Sequence, residues 1–228
     1  MAEARQRRAK NPAETREVIL RAACTLLAKD GPEAVSLSEV AHLAGVNRGT
    51  AYQHFKTRER LIAAAAAWVS DRMFHAVFGD PATIGERRLE KVDTADLTER
   101  LTNFAMDNPE LCRIWLLQLL SSSEPTTDPF WREYAGSIGR FAETDRAERN
   151  IDAEVLSVMT LAGAFLWPVW ARSHAQGEDE RRALAHRFVQ ECLRLSMYGT
   201  LKSKRFPDIA ERLERRREQP ISLHAVGG

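Results

Sequence analysis

The chain has 228 residues, 44% of them hydrophobic, which is enough for one large domain or for a small domain beside a larger one. The formal net charge of +1 is unevenly spread: residues 1–61 hold 11 Lys or Arg against 7 Asp or Glu, a net of +4, and the rest of the chain carries −3. A local basic patch is what attracts a polyanion, so near-neutrality of the whole does not exclude nucleic acid, and modest Gly and Pro with few runs of Val, Ile and Thr exclude a β-rich fold.

Residues 1–10 carry Arg5, Arg7, Arg8 and Lys10 with little that packs, a basic arm able to reach phosphates or a minor groove. No apolar run comes after it, so no secretory signal is expected. Asn11 then offers an N-cap with Pro12 in the first helical position and Glu14 in the first turn. Val18, Ile19, Ala22, Ala23, Leu26 and Leu27 repeat on one face, and Asp30, Gly31 and Pro32 stop the helix.

Residues 36–56, SLSEVAHLAGVNRGTAYQHFK, read as two short helices around a tight turn. Ser36 and Glu39 make a capping box, and Leu37, Val40, Ala41 and Ala44 form one apolar face. Gly45 supplies a left-handed backbone, Val46 pins the corner, and Asn47 caps the second helix. Small Ala41 and Ala44 let the helices cross closely, which leaves Arg48, Gly49, Thr50, Gln53 and His54 on the outside. Arg and Gln can make paired bonds to a base edge, while Thr, Tyr and His suit phosphates or a thymine methyl. Phe55 reads as core. Thr57 caps a long helix over 58–78 with Leu61, Ile62, Ala65, Trp68, Val69, Met73 and Val77 in a stripe ending near Gly79, Asp80 and Pro81. At 1.5 Å per residue it spans about 30 Å, long enough to link a reading head to the C-terminal half of the chain.

The first helix, the order S-L-S-E-V-A-x-x-A-G-V-N-R-G-T-A-Y-x-H-F-K and the long helix after it resemble the tetracycline-repressor (TetR-type) family of bacterial transcriptional regulators, over about residues 12–70. Arg58 departs from the Lys usual in the family and keeps the charge. The resemblance implies that Arg48, Gly49, Thr50 and Gln53 face bases, with Gly49 allowing close approach, and that Ser36, Tyr52, His54 and Lys56 hold phosphates.

Residues 80–96 read as a linker. Leu97, Leu101, Phe104 and Ala105 mark the next helix, and Asn108, Pro109 and Glu110 restart another through Leu111, Ile114, Trp115 and Leu119. Residues 121–129 read as a loop, and a helix over about 130–144 carries Trp131, Tyr134, Ile138 and Phe141. Its interior Gly136 and Gly139 each weaken it by about 1 kcal/mol relative to Ala, pointing to close packing or a nearby ligand. Helices over about 152–172 and 178–197, separated by a turn containing Gly177, form an expected antiparallel pair. The apolar stretch 155–170 is short for a membrane span, contains Pro168 and reads as a buried helix. Both helices are apolar around more than half their circumference, so a second partner is expected. In the family the final pair builds a four-helix bundle across a two-fold axis, which implies a homodimer with Leu156, Gly163, Leu184, Phe188 and Leu195 as interface candidates. From residue 202 the chain is strongly charged, with a short amphipathic helix expected over 207–217 and then a frayed tail.

Cys24, Cys112 and Cys192 read as buried free thiols of a cytoplasmic protein. The six histidines form no metal-ligand spacing, and no phosphate loop, G-x-S-x-G or H-E-x-x-H is present, so no metal, cofactor or enzyme activity is expected.

The expected fold is all-α. A helix-turn-helix DNA-binding domain with its arm (1–56) and a connecting helix (57–79) lead to a helical effector-binding and dimerisation domain (80–201) and a charged tail (202–228). The expected function is a cytoplasmic homodimeric repressor on duplex DNA with a palindromic operator, released by a small, mainly apolar or aromatic effector. Trp115, Trp131, Phe165, Trp167 and Trp170 are the candidate pocket walls, with Gln118 and Thr160 to orient the ligand and Pro168 kinking its helix to open a space. The competing readings are an effector-independent DNA-binding regulator and an all-helical small-molecule carrier, against which Arg48 and its neighbours speak.

Overall fold

The computed structural model describes residues 11–81, 94–175, 177–199 and 208. The basic arm, the charged tail and most of the linker lie outside the described residues. Among those described there are nine α-helices, no strand, and two 3-10 turns at Pro32–Ala34 and Pro125–Thr127.

The first four helices are set by their caps. Helix α1 (Pro12–Asp30) starts where Asn11 Oδ1 accepts the Ala13 N–H at 3.1 Å, and ends at Gly31 with φ 80°. Helices α2 (Leu37–Leu43) and α3 (Arg48–His54) come next as a close pair, and α4 (Arg58–Phe78) starts with Thr57 Oγ1 accepting the Arg60 N–H at 3.2 Å. Leu61, Ala65, Val69, Met73 and Val77 of α4 are buried as the periodicity predicts, with Ile62 and Trp68 half-buried at the edges.

The second half is α5 (Thr94–Asp107), α6 (Pro109–Ser121), α7 (Pro129–Ala142), α8 (Ala153–Ala171) and α9 (Glu178–Tyr198). Helix α5 begins inside the stretch expected to be linker. Helix α4 touches α1, α5, α6 and α7, and α1 also reaches α6, so one apolar core runs without interruption from Ile19 in α1 to Phe165 in α8. Head and body are thus packed through shared side chains as well as joined by a helix. Helix α9 lies mainly on α5 and meets α8 in antiparallel sense, with Trp167 Nε1 donating to the Leu184 carbonyl at 3.0 Å and Gly163 facing Phe188.

Packing demands neither glycine of α7, since a Cβ at Gly139 would make ordinary contact and one at Gly136 would meet only the movable end of the Arg140 side chain. A Cβ on Gly139 would meet Ala153 of α8 at 3.9 Å, and one on Gly136 would meet the Arg140 guanidinium at 3.1 Å, where Arg140 folds back to pair with Glu133 at 2.5 Å.

Two expectations fail in the packing. Helix α8 is not buried: Ser157, Leu161, Ala164, Phe165 and Pro168 face the core while Val155, Val158, Met159, Leu166, Val169 and Trp170 are exposed. By length and composition alone α8 is apolar enough to cross a membrane, and so is α4. The helix is continuous through Pro168, which sits in its last turn, to Ala171. Cys192 is half-buried rather than buried, on a helix, α9, of which only Ala185 and Val189 are buried.

Candidate nucleic-acid interface

The two short helices are held by local capping. Ser36 Oγ accepts the Glu39 N–H at 3.1 Å and donates to Glu39 Oε2 at 2.8 Å. Gly45 has φ 64° at the corner, and the Val46 N–H returns to the Ala41 carbonyl at 3.0 Å. Asn47 Oδ1 accepts both the N–H (2.7 Å) and the hydroxyl (2.9 Å) of Thr50. A Cβ on Gly49 would lie 3.3 Å from that same Asn47 Oδ1, so Gly49 leaves the cap room as well as baring the backbone.

This bracing orients α3. Ala51 and Phe55 are buried beneath it, and Arg48, Gly49, Tyr52, Gln53 and Lys56 are exposed, with Thr50 and His54 half-buried. The first turn of α3 holds no acidic residue. Seven of the eight candidate DNA residues therefore share α3 and the residue just beyond its C-cap. Ser36 stands apart at the start of α2, its hydroxyl engaged by Glu39. Arg48 and Tyr52, one turn apart, form a unit: the guanidinium carbon lies 5.4 Å from the ring centroid and Nη2 is 3.4 Å from the phenolic oxygen.

Two features that position this face are not visible in the sequence. Arg58 at the start of α4 donates to the Val35 carbonyl from Nε (2.9 Å) and to the Pro32 carbonyl from Nη2 (2.5 Å), with Glu33 at 3.6 Å. One planar guanidinium thereby ties α4 to the turn before α2, a two-carbonyl grip that a lysine ammonium cannot reproduce in the same geometry. Further along α4, buried Ser70 donates to Asp128 Oδ1 at 3.0 Å and accepts the Phe130 N–H at 3.3 Å, joining the connecting helix to the first turn of α7. The signal for Asp128 was legible, since an acid before Pro129 is a helix start; its partner on α4 was not.

The effector candidates divide. Trp115, Trp131 and Phe165 are buried in the shared core, where Trp115 meets Phe130 at 5.5 Å and Phe165 at 5.4 Å, both edge-on. Thr160 accepts the Tyr134 hydroxyl at 2.9 Å, and burial pushes the Tyr134 phenol above its usual range. Trp115 Nε1 is the buried side-chain donor left without a partner among the described residues. Gln118, by contrast, is exposed on α6. Trp167 and Trp170 belong to an outer stack with Phe188 and His174, under Arg187. Gln118, Trp167 and Trp170 do not join the buried cluster, because on α6 and α8 they fall on the faces turned away from it.

Of the interface candidates, Leu195 is exposed, whereas Gly163, Leu184 and Phe188 are half-buried in contacts within the chain, and Leu156 is also half-buried.

Residues 19–65 match the family of bacterial regulatory proteins described as tetR family. An HTH-type transcriptional repressor of Mycobacterium tuberculosis is 34% identical over 79 residues, which are 34% of this chain and 42% of that protein. The chain therefore spans less than half the length of that curated relative. A TetR-family regulator from Rhodococcus sp. has 27% identity and a TM-score of 0.53, covering 77% of this chain and 96% of the other. The structure of AibR in complex with isovaleryl coenzyme A and operator DNA aligns with a TM-score of 0.53 at 19% identity over 77% of this chain and 96% of that one, a likeness of fold. The family and the named relatives are transcriptional regulators, not enzymes. A capped helix-turn-helix with an outward-facing α3 is thus similar in sequence, over residues 19–65, to the bacterial regulatory proteins of the tetR family, and most of the chain is similar in fold to a TetR-family regulator.

Proposed function

We propose that the protein is a cytoplasmic homodimeric transcriptional repressor that binds a palindromic operator and is released from it by a small, mainly apolar or aromatic effector. The observation that carries this reading is the outer face of α3: Arg48, Gly49, Tyr52 and Gln53 are exposed together over the buried Ala51 and Phe55. Arg48 and Gln53 supply base-edge hydrogen bonds and Thr50 its methyl, while Tyr52, His54 and Lys56 hold phosphates. With its hydroxyl already engaged by Glu39, Ser36 is the weakest phosphate candidate. The functional division is 1–56, 57–79, 80–201 and 202–228.

The exposed apolar stripe of α8, from Val155 through Met159 and Leu166 to Val169, with Leu195 and Tyr198 of α9, is the surface for the second copy. Two-fold symmetry then sets the reading helices about 34 to 36 Å apart on inverted half-sites. Buried Trp115, Trp131 and Phe165 with Thr160 form the effector region. An effector favouring mis-spaced heads by about 1 to 3 kcal/mol weakens DNA binding by about 5- to 150-fold, and DNA weakens effector binding equally. AibR, whose structure holds both a coenzyme A thioester and operator DNA, supports control of this kind in the shared fold.

Selection from a random duplex pool tests the DNA reading: an enriched inverted repeat is expected, and a pool that stays random rejects it. A screen of apolar compounds, read by tryptophan fluorescence and operator release, tests the effector; no compound doing both favours the effector-independent regulator.

A further inference from the structure

We infer that Arg48 reads a guanine, and that Tyr52 is the positioning residue that holds its guanidinium ready to do so. The inference rests on the DNA-binding reading above and names the base. Arg48 is exposed at the start of α3, and among the described residues no carboxylate lies within ion-pair distance of it. Its partner is instead the Tyr52 ring, at 5.4 Å from the guanidinium carbon, with the phenolic oxygen 3.4 Å from Nη2.

The contact with Tyr52 engages one N–H of Nη2 and leaves the other guanidinium N–H donors available. A donor-only fork with two parallel N–H groups matches an edge with two neighbouring acceptors. In the major groove only guanine offers that, at O6 and N7; adenine pairs an acceptor with a donor, and thymine offers one acceptor and a methyl. A free arginine loses much rotamer freedom on docking, and a side chain already resting on an aromatic ring loses less. Gly49 beside it presents no Cβ to hold the helix off the base pairs.

The test uses the full chain and the sequence enriched from the random pool, with each guanine in turn replaced by 7-deazaguanine, which pairs normally and lacks only the N7 acceptor. Wild-type protein is expected to lose about 5-fold or more in affinity at one guanine per half-site, within the about 5- to 150-fold range of a paired base contact. Arg48→Ala is expected to bind the unmodified site as weakly as wild type binds the modified one, or more weakly, and to show no further loss at that position. Tyr52→Phe keeps the ring and the 7-deaza loss. Tyr52→Ala shrinks that loss, which a tyrosine serving only as a phosphate contact would not do, because it would weaken both duplexes alike. An enriched site without a guanine, indifference of wild type to every 7-deaza substitution, a loss that persists in Arg48→Ala, or a loss unchanged in Tyr52→Ala overturns the inference while leaving operator binding intact. A pool with no enriched sequence overturns both readings.

Discussion

Replacing Ser70 by alanine removes one oxygen, yet it acts on two helices. Ser70 is 1% exposed on α4, its hydroxyl donates to Asp128 Oδ1 at 3.0 Å, and it accepts the N–H of Phe130 at 3.3 Å. Asp128, 58 residues later in the chain, also takes the Trp131 N–H at 2.9 Å. The first turn of α7 has orphan N–H groups like any helix start, and here one is met by the helix's own cap and one by α4. In Ser70→Ala the Phe130 N–H is left buried and unpaired, at a cost of about 1 to 3 kcal/mol, and Asp128 loses a donor. A total of about 2 to 3 kcal/mol is expected, since Asp128 keeps its bond to Trp131. For a chain of this size that corresponds to a melting temperature lower by roughly 4 to 12 °C. Urea unfolding of Ser70→Ala, Asp128→Ala and the double variant measures the link, and a coupling of about 1 to 2 kcal/mol is expected between the two positions. If the single effects add, or if Ser70→Ala costs less than about 0.5 kcal/mol, the bridge between α4 and α7 is not an energetic one.

Arg58→Ala breaks the grip on Pro32 and Val35, and because the side chain is about one-third exposed a loss of only about 1 to 2 kcal/mol is expected, with Arg58→Lys in between; denaturant unfolding and operator affinity are the measurements. Val158→Glu or Leu166→Glu places a charge in the exposed apolar stripe of α8 and is expected to lower dimer and DNA affinity together without lowering thermal stability of the monomer; light scattering at micromolar concentration decides, and an unchanged dimer rejects the α8 interface. In native protein a thiol reagent is expected to modify Cys192 well before Cys24 and Cys112, whose thiols burial pushes up to about 12. Because those two folded values lie above the ordinary 9.0, their contribution to stability is intact below pH 9 and is lost as pH rises towards 12, which a pH series of unfolding curves reads directly.

The helix-turn-helix was legible because its determinants are close together in the chain. Ser36 with Glu39, Asn47 with Thr50, and the left-handed Gly45 all act within a turn or two, so residue type and spacing are enough to set them. The outward side of α3 is fixed as well, since burying Ala51 and Phe55 leaves Arg48, Tyr52 and Gln53 no other direction. Contacts between residues far apart in sequence were not legible. The partners of Arg58 lie 23 and 26 residues away and that of Ser70 lies 58 away, and side-chain type does not say which distant carbonyl or carboxylate the fold will bring up. Helix α8 shows the same limit in its clearest form. It is apolar on every face, so its periodicity has no phase, and composition cannot say which side meets the core. Packing against α5, α6 and α7 decided that Ser157 turns inward while Val158 and Leu166 face out, because a small side chain with its hydroxyl bonded to the Ala153 carbonyl fits a close helix contact better than a branched one.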